Sequence, residues 1–175
     1  YAFYQCTGLT SLTIGSAVQT IGSYTFSGCS NLTKLEIPAS VTAIGNGAFT
    51  GLSSLEEIKV DENNTVFMSS QNCMITLTST YLASTSNSKA YTVGKGGLVV
   101  GCKNSIIPTD ANIVTTIARN SFYGCTGLTE ITIPSNITEI LPYAFGMCGF
   151  TSVTIESGLT SIGSYAFEYC NNLTE

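Results

Sequence analysis

Residues 32–49 read LTKLEIPASVTAIGNGAF, and the pattern of this stretch recurs along the whole chain. Its clearest element is a marker phenylalanine that returns every 22 or 23 residues within two blocks: Phe3, Phe26 and Phe49, then Phe122, Phe145 and Phe167. A fixed period of this length indicates a solenoid, in which each repeat forms one coil stacked on the next.

Each repeat also carries a short alternation of apolar and polar residues. In the quoted stretch Leu35 and Ile37 are separated by charged residues, and a period of two predicts a strand with one buried face. A second apolar pair, here Val41 and Ile44, follows the strand and leads to the marker phenylalanine. Each coil is therefore predicted to contain one short strand, a turn, a short second segment and a phenylalanine plug.

Stacking explains how so small a unit buries its apolar residues. Parallel strands of adjacent coils lie about 4.8 Å apart, so each strand pairs with the next and each phenylalanine covers its neighbour. The sequence thus predicts a β-rich solenoid with one short parallel strand per repeat.

Two stretches, residues 32–49 and LTEITIPSNITEILPYAF at 128–145, resemble the BspA-type leucine-rich repeats. This is a 23-residue class found in surface proteins of host-associated bacteria and some protozoa. NCMI at 72–75 and LVVGCKNSIIP at 98–108 are similar to the β-hairpin insertion that interrupts such arrays. The resemblance implies a right-handed leucine-rich-repeat coil and an adhesive role at a host surface.

The repeats divide the chain into three parts of one continuous solenoid. Residues 1–60 form an N-terminal block of leucine-rich repeats, 61–113 irregular repeats with a hairpin insertion, and 114–175 a C-terminal block. Strands are predicted within the insertion at residues 73–77, 81–83, 91–93 and 98–102, followed by a strand-like return at 105–108. We interpret the insertion as a hairpin excursion from one face of the array.

The two ends of the chain lie within the repeat pattern. Tyr1 falls inside one repeat and Glu175 at the start of another, so we expect an excerpt of a longer protein. A secretion signal and an anchor are then expected outside it. No stretch approaches the roughly 20 apolar residues needed to span a membrane, so this segment is not expected to insert into one.

Composition argues against several classes of function. Charged residues make up 10% of the chain, and the formal net charge is −5 with no run of Lys or Arg. Nucleic acid is therefore not an expected partner. The chain contains no histidine and no tryptophan, and it lacks a C-x-x-C motif, so we expect neither zinc nor another cofactor. We interpret residues 61–64, Asp-Glu-Asn-Asn, as a solvated turn rather than a calcium loop.

The cysteines follow the repeat. Five of the seven lie three residues after a marker phenylalanine: Cys6, Cys29, Cys125, Cys148 and Cys170. Leu52 holds the same place in the third repeat, which indicates an apolar packing site rather than a reactive one. Cys73 and Cys102 instead flank the insertion, and we consider them a candidate disulfide.

The exposed face of the predicted strands is the candidate binding surface, and it consists of Ser11, Thr13, Lys34, Glu36, Glu57, Lys59, Glu130, Thr132, Ser152 and Thr154. Stacking in register sets Lys34 beside Glu57 and Glu36 beside Lys59, each pair contributing roughly 0.2–1 kcal/mol. Such pairs either fix strand register or take part in binding a ligand, and the sequence leaves both readings open.

Two further positions recur. The site two residues before the marker carries Tyr1, Tyr24, Tyr143 and Tyr165, with Gly47 and Asn120 as replacements. A tyrosine row either binds a partner or covers the phenylalanine stack. Asn31 and Asn172 replace Gly8 and Gly127, which predicts a left-handed turn at that position.

The sequence favours a non-catalytic protein-binding or adhesion module of a cell-surface or secreted microbial protein. Its partner would be a protein or host-surface ligand of unknown identity. The alternative is a structural spacer or stalk that displays another domain. A carbohydrate-active enzyme is disfavoured, because histidine, tryptophan and a paired carboxylate site are missing.

Overall fold

The protein is a β-solenoid of about six turns in the computed structural model, which describes residues 1–82 and 91–174. These residues contain no helix and form fourteen short strands. The strands are β1 (Thr20–Ile21), β2 (Lys34–Ile37), β3 (Ala43–Ile44), β4 (Glu57–Val60), β5 (Phe67–Ser70), β6 (Cys73–Thr76), β7 (Thr80–Leu82), β8 (Tyr91–Val93), β9 (Gly97–Val100), β10 (Thr116–Ile117), β11 (Glu130–Ile133), β12 (Glu139–Ile140), β13 (Ser152–Ile155) and β14 (Ser161–Ile162).

The predicted repeat strands are β2, β4, β11 and β13. β2 pairs in parallel with β4, and β11 pairs in parallel with β13. In β2 and β11 alternate residues are buried, as the period of two predicted. The predicted fold is thereby confirmed, with neighbouring coils contributing residues 22 or 23 positions apart.

A second parallel ladder runs along the solenoid. The short second segment, predicted only as an apolar pair, forms the two-residue strands β1, β3, β10, β12 and β14. They pair as β1 with β3, and as β10 with β12 and β12 with β14. A complete repeat therefore contributes two strands to the solenoid, the four-residue repeat strand and the two-residue second strand.

Two segments predicted as strand form none in the structure. One is residues 9–14, where the first repeat has the same apolar pattern as Leu32, Leu35 and Ile37, and the other is residues 105–108. In the first, Leu9, Leu12 and Ile14 still pack against the core. In the second, the Ile106 amide donates to the Gln71 carbonyl oxygen at 3.1 Å. The backbone there hydrogen-bonds to the turn of the insertion instead of to a neighbouring repeat strand.

The insertion is part of the core rather than an excursion. β5 and β6 form an antiparallel hairpin, β6 pairs with β9, and β9 joins β10, giving a six-stranded sheet in the order β14-β12-β10-β9-β6-β5. All residues of β6 and β9 are buried. A second hairpin, β7 with β8, leaves this sheet, and the predicted end of its first strand at Ala83 lies outside the described residues.

Stacked phenylalanines fill the solenoid at the marker positions. The Phe26 ring centroid lies 5.3 Å from that of Phe3 and 5.7 Å from that of Phe49. Phe145 lies 4.9 Å from Phe122 and 5.2 Å from Phe167 by the same measure. The predicted phenylalanine plug is therefore present in both blocks.

Candidate functional site

The ten residues of the predicted binding face lie at the surface, with Glu57 and Ser152 half-buried and the others exposed. The paired positions on β2 and β4 are Lys34 with Glu57 and Glu36 with Lys59, as predicted. The face is not one continuous sheet, however. β2–β4 and β11–β13 are separate two-stranded sheets, because the insertion and residues 105–109 lie between the two blocks.

One of the two predicted ion pairs is formed. Lys34 Nζ lies 2.9 Å from Glu57 Oε2, as the register requires. The second pair differs from the prediction. Lys59 lies opposite Glu36 in the strand register, but its Nζ lies 2.8 Å from Glu57 Oε1. Each carboxylate oxygen of Glu57 contacts one lysine. One of the two ion pairs, that of Glu57 with Lys59, therefore lies within the single strand β4.

This arrangement changes the titration of the carboxyl group. The hydrogen bonds from Lys59 and Lys34 lower the pKa of Glu57 to about 2 from its usual 4.5. The same contact with Glu57 raises the pKa of Lys34. The charges of this block are therefore largely satisfied within the face itself.

The second block offers a different surface. A groove of about 410 Å³ is lined by all four predicted residues of this block, Glu130, Thr132, Ser152 and Thr154. Ile106 also lines the groove, with 68% of its surface exposed, while the adjacent Ile107 is buried. Sequence reasoning missed Ile106, although two consecutive isoleucines in an extended segment point to opposite sides.

Cysteines that follow the marker phenylalanines by three residues, which we call the cysteine ladder, form hydrogen bonds within the core. The thiols of Cys29, Cys148 and Cys170 each donate to the carbonyl oxygen of a marker phenylalanine in the preceding coil, at 3.1–3.2 Å. Burial raises the pKa of Cys125 to about 12 and also raises that of Cys148. A buried thiol with a raised pKa is a poor nucleophile.

Cys73 and Cys102 are free thiols, so the candidate disulfide is not formed in this structure. Their sulfurs hydrogen-bond to different carbonyl oxygens, those of Ile106 and Asn72, and the side chains pack into different core clusters. Burial raises the pKa of Cys73 to about 12.

The side chain of Asn64 is buried, although the sequence predicted that it lies in a solvated turn. Its Nδ2 donates to the carbonyl oxygens of Pro38 and Val41, both at 2.9 Å. Its Oδ1 accepts from the amides of Val66 at 2.9 Å and Phe67 at 2.8 Å. This side chain therefore connects the start of the insertion to the preceding coil.

The tyrosine row forms two separate stacks. The ring centroids of Tyr1 and Tyr24 are 5.1 Å apart, and those of Tyr143 and Tyr165 are 5.2 Å apart. The stacks are interrupted by Gly47 and Asn120, as the sequence indicated. The outer rings, Tyr1 and Tyr165, are the most exposed of the four.

Comparison with known proteins agrees with the stacked coils and the repeated strands. A family model described as BspA type leucine rich repeat region matches residues 1–92 and 101–175, in six copies. The chain belongs to this family. Among curated proteins, a search found no match to this BspA-type repeat chain.

Two solved structures share the fold of the BspA-type chain. One is a leucine-rich repeat protein from Eubacterium ventriosum, with a TM-score of 0.57 and 22% identity, covering 92% of this chain and 46% of that protein. The other is a leucine rich cell surface protein from Faecalibacterium prausnitzii, with a TM-score of 0.58 and 22% identity, covering 98% of this chain and 54% of that protein. The chain thus spans about half the length of each.

The described residues of the BspA-type chain include no helix that is both long and apolar enough to cross a lipid bilayer.

Proposed function

We propose that this chain is a non-catalytic protein-binding and adhesion module of a microbial cell-surface or secreted protein. Membership of the BspA-type family supports a repeat module for protein interaction. A surface location is supported by the name of one protein of the same fold, a leucine rich cell surface protein.

The observation that carries the proposal is the exposed Ile106 in the groove of the second block. An exposed aliphatic side chain within a concave surface provides an apolar anchor, which is typical of the centre of a protein interface. Glu130 and Glu156 line the same groove and carry negative charge. The expected partner surface has an apolar side chain that covers Ile106 and basic residues beside it.

The absence of a catalytic role is supported by the sequence and by the state of the thiols. The chain contains no histidine, the commonest general base. Cys73, Cys125 and Cys148 are buried, and burial raises the pKa of each thiol. These features do not favour nucleophilic catalysis, nor a carbohydrate-active enzyme in particular.

The test is binding of the folded protein to cultured epithelial cells and to immobilised extracellular-matrix proteins. Ile106→Ser should weaken binding about tenfold or more, as expected for an interface anchor. Ile162→Ser is the matched control, because Ile162 is 53% exposed but lies outside the groove. Equal loss of binding in both variants, or no loss in either, would contradict the role of the groove.

The alternative function is a structural spacer or stalk. The ion pairs of Lys34 and Lys59 with Glu57 favour it, because they satisfy charges within the face and fix strand register without a ligand. If the correctly folded protein binds neither cells nor matrix proteins, the spacer is the better description.

A further inference from the structure

Two rows of side chains run along the solenoid beside the phenylalanine stack. The row two residues before the marker contains Tyr1, Tyr24, Gly47, Asn120, Tyr143 and Tyr165. The row one residue after the marker contains Tyr4, Ser27, Thr50, Tyr123, Gly146 and Glu168. The first row carries no aromatic ring at Gly47 and Asn120, and the second carries none at Ser27 and Thr50. The surface beside these residues opens into a cleft of about 540 Å³. We call it the tyrosine cleft.

Aromatic rings form both walls of the tyrosine cleft. On one side Tyr24 stacks on Tyr1 at 5.1 Å between ring centroids, and its ring covers Gly47 so closely that a Cβ there would lie 2.5 Å from Cε1. On the other side stand Tyr143 and Tyr123. The walls are held in place by ring stacking and by close packing against glycine backbone, so the cleft is preformed.

The floor of the tyrosine cleft is polar and ordered. Asn120 Nδ2 donates to Asn46 Oδ1 at 2.9 Å, and Thr50 Oγ1 donates to Ser27 Oγ at 2.8 Å. These side chains line the cleft and offer amide and hydroxyl groups to a ligand. Asn46 and Thr50 are themselves buried, which fixes their positions.

A single charged side chain lines the tyrosine cleft among the described residues, that of Arg119. Its Cζ lies 5.0 Å from the centroid of the Tyr143 ring, a cation–π contact that orients the guanidinium group. A guanidinium group matches the planar geometry of a carboxylate. The described lining of the cleft thus has a basic side chain and no acidic one, which favours a ligand with a carboxylate.

We propose that the tyrosine cleft binds an acidic saccharide, a pyranose with a carboxylate group. The C–H face of the sugar ring would pack on the tyrosine walls, its hydroxyls would contact the amides of Asn46 and Asn120, and its carboxylate would lie at Arg119. The cleft volume is within the range of small-ligand sites. This site lies apart from the groove at Ile106 and does not depend on the function proposed for that groove.

The test compares two tetrasaccharides by isothermal titration calorimetry with the whole chain. One alternates glucuronic acid with N-acetylglucosamine, and the other contains N-acetylglucosamine alone. We expect the acidic probe to bind at least about tenfold more tightly than the neutral one. Equal affinity for both would overturn the assignment of the carboxylate to Arg119, and no binding of either would overturn the whole proposal.

Asn120→Tyr is the sharpest variant, because it restores the tyrosine of the row and fills the cleft. The backbone at Asn120 has a φ of 60°, the conformation that Tyr143 and Tyr165 already adopt. Binding of the acidic probe should fall about tenfold or more, with an unchanged circular dichroism spectrum. Arg119→Gln should cause a similar loss for the acidic probe and little for the neutral one, and it keeps the test decisive if Asn120→Tyr does not fold.

Tyr169→Ala is the control for the aromatic residues, since Tyr169 is 68% exposed but does not line the cleft. Ile106→Ser is the control for the separate groove, and both variants should bind the acidic probe as the unaltered protein does. Binding that survives both Asn120→Tyr and Arg119→Gln would place the saccharide elsewhere and overturn the proposal.

Discussion

The backbone is left-handed two residues after each marker phenylalanine, and also two residues before each marker from Phe26 onward. The position before the marker includes Gly47 at φ 65°, Asn120 at 60°, and Tyr24, Tyr143 and Tyr165 at 54–62°. Left-handed tyrosine is strained by about 1–2 kcal/mol. The strain is offset by ring stacking and by hydrogen bonds between coils, such as that from the Tyr24 amide to the Asn46 carbonyl oxygen at 3.1 Å.

The sequence predicted a left-handed turn at the position shared by Gly8, Asn31, Gly127 and Asn172, and this prediction was wrong. The described residues Gly8, Asn31, Gly127 and Asn172 all lie outside the left-handed region. The Asn31 side chain instead donates from Nδ2 to the Thr7 carbonyl oxygen of the preceding coil, at 2.8 Å. The correct signal was the exchange of tyrosine with Gly47 and Asn120, which shows where a left-handed backbone is tolerated.

The pKa of Glu57 provides a test of the two ion pairs. A pKa lowered by folding means that the pairs stabilise the folded state above pH 4.5, and that this contribution is lost as the pH falls towards 2. Carboxyl carbon chemical shifts followed by NMR should give a pKa of about 2 for Glu57. Lys59→Met should raise this pKa, because Lys59 is the main cause of the shift.

Titration of Glu57 near 4.5 in the unaltered protein would contradict the observed contacts. Glu36→Gln is the control and should leave the pKa of Glu57 unchanged, because no ion pair of the described residues includes Glu36.

The thiols should differ sharply in their reactivity. Cys6 is exposed, whereas burial raises the pKa of Cys73 and Cys125 to about 12. Since the thiolate is the reactive form, Cys6 should react first with a thiol reagent and the buried cysteines only after unfolding. Mass spectrometry of the labelled, unreduced protein gives the site and order of reaction. A linked pair of Cys73 and Cys102 peptides would contradict the free thiols of the structure.

At the scale of elements, strand alternation and stacking were predictable while the path of the insertion was not. Leu35 and Ile37 are fully or almost fully buried in β2, as their alternation indicated. In β6, however, Met74 packs into the N-terminal core cluster while Cys73 and Ile75 pack into the C-terminal one. A strand buried on both sides shows no alternation, so the sequence could not show that the insertion passes between two cores.

Asn64 joins two elements, and its removal should be costly. Asn64→Ala leaves up to four backbone groups near β5 and the preceding coil without their partner, so we expect a loss of about 3 kcal/mol in the free energy of unfolding. Asn63→Ala is the matched control, because Asn63 is exposed and its hydrogen bonds among the described residues lie within its own turn, to Asp61 Oδ1 at 2.9 and 3.1 Å. Its effect should stay within about 1 kcal/mol.

Urea denaturation of the two variants measures this difference. Equal midpoints for Asn64→Ala and Asn63→Ala would show that the buried hydrogen bonds of Asn64 contribute little.

At the scale of the whole molecule, the two blocks of repeats contact each other directly although the insertion separates them in the sequence. The Gly51 amide donates to the Tyr123 carbonyl oxygen at 2.7 Å, so the turn after Phe49 stacks directly on the turn after Phe122. These residues are separated by the entire insertion in the sequence. The same junction brings Asn46 beside Asn120 and creates the tyrosine cleft.

Gly124→Ala tests this junction. A Cβ at Gly124 would lie 2.8 Å from the Gly51 Cα, and the φ of 76° is unfavourable for alanine. We expect a loss of about 1–3 kcal/mol in the free energy of unfolding, measured by urea denaturation. Gly8→Ala is the matched control, since its methyl group would lie more than 4 Å from every described residue other than its two chain neighbours, and its φ is not positive. A loss of stability in Gly8→Ala as large as in Gly124→Ala would contradict this view of the junction.

The candidate binding face was predictable only in part. Its register on β2 and β4 followed from the repeat, but the ion pair of Lys59 with Glu57 depends on side-chain geometry that a repeat does not specify. Ile106 and the tyrosine cleft involve residues whose neighbours in space belong to distant parts of the chain.

The sequence by itself determined the solenoid, the strand register and the phenylalanine stack, because stacked coils turn a period of 23 residues into contacts between equivalent positions. Tertiary structure alone decided where the two blocks meet, which side chains become buried there, and which surfaces stay open. The reason is physical: periodicity fixes contacts between successive coils, whereas the joint between Gly51 and Gly124 depends on how the inserted strands pack between two cores.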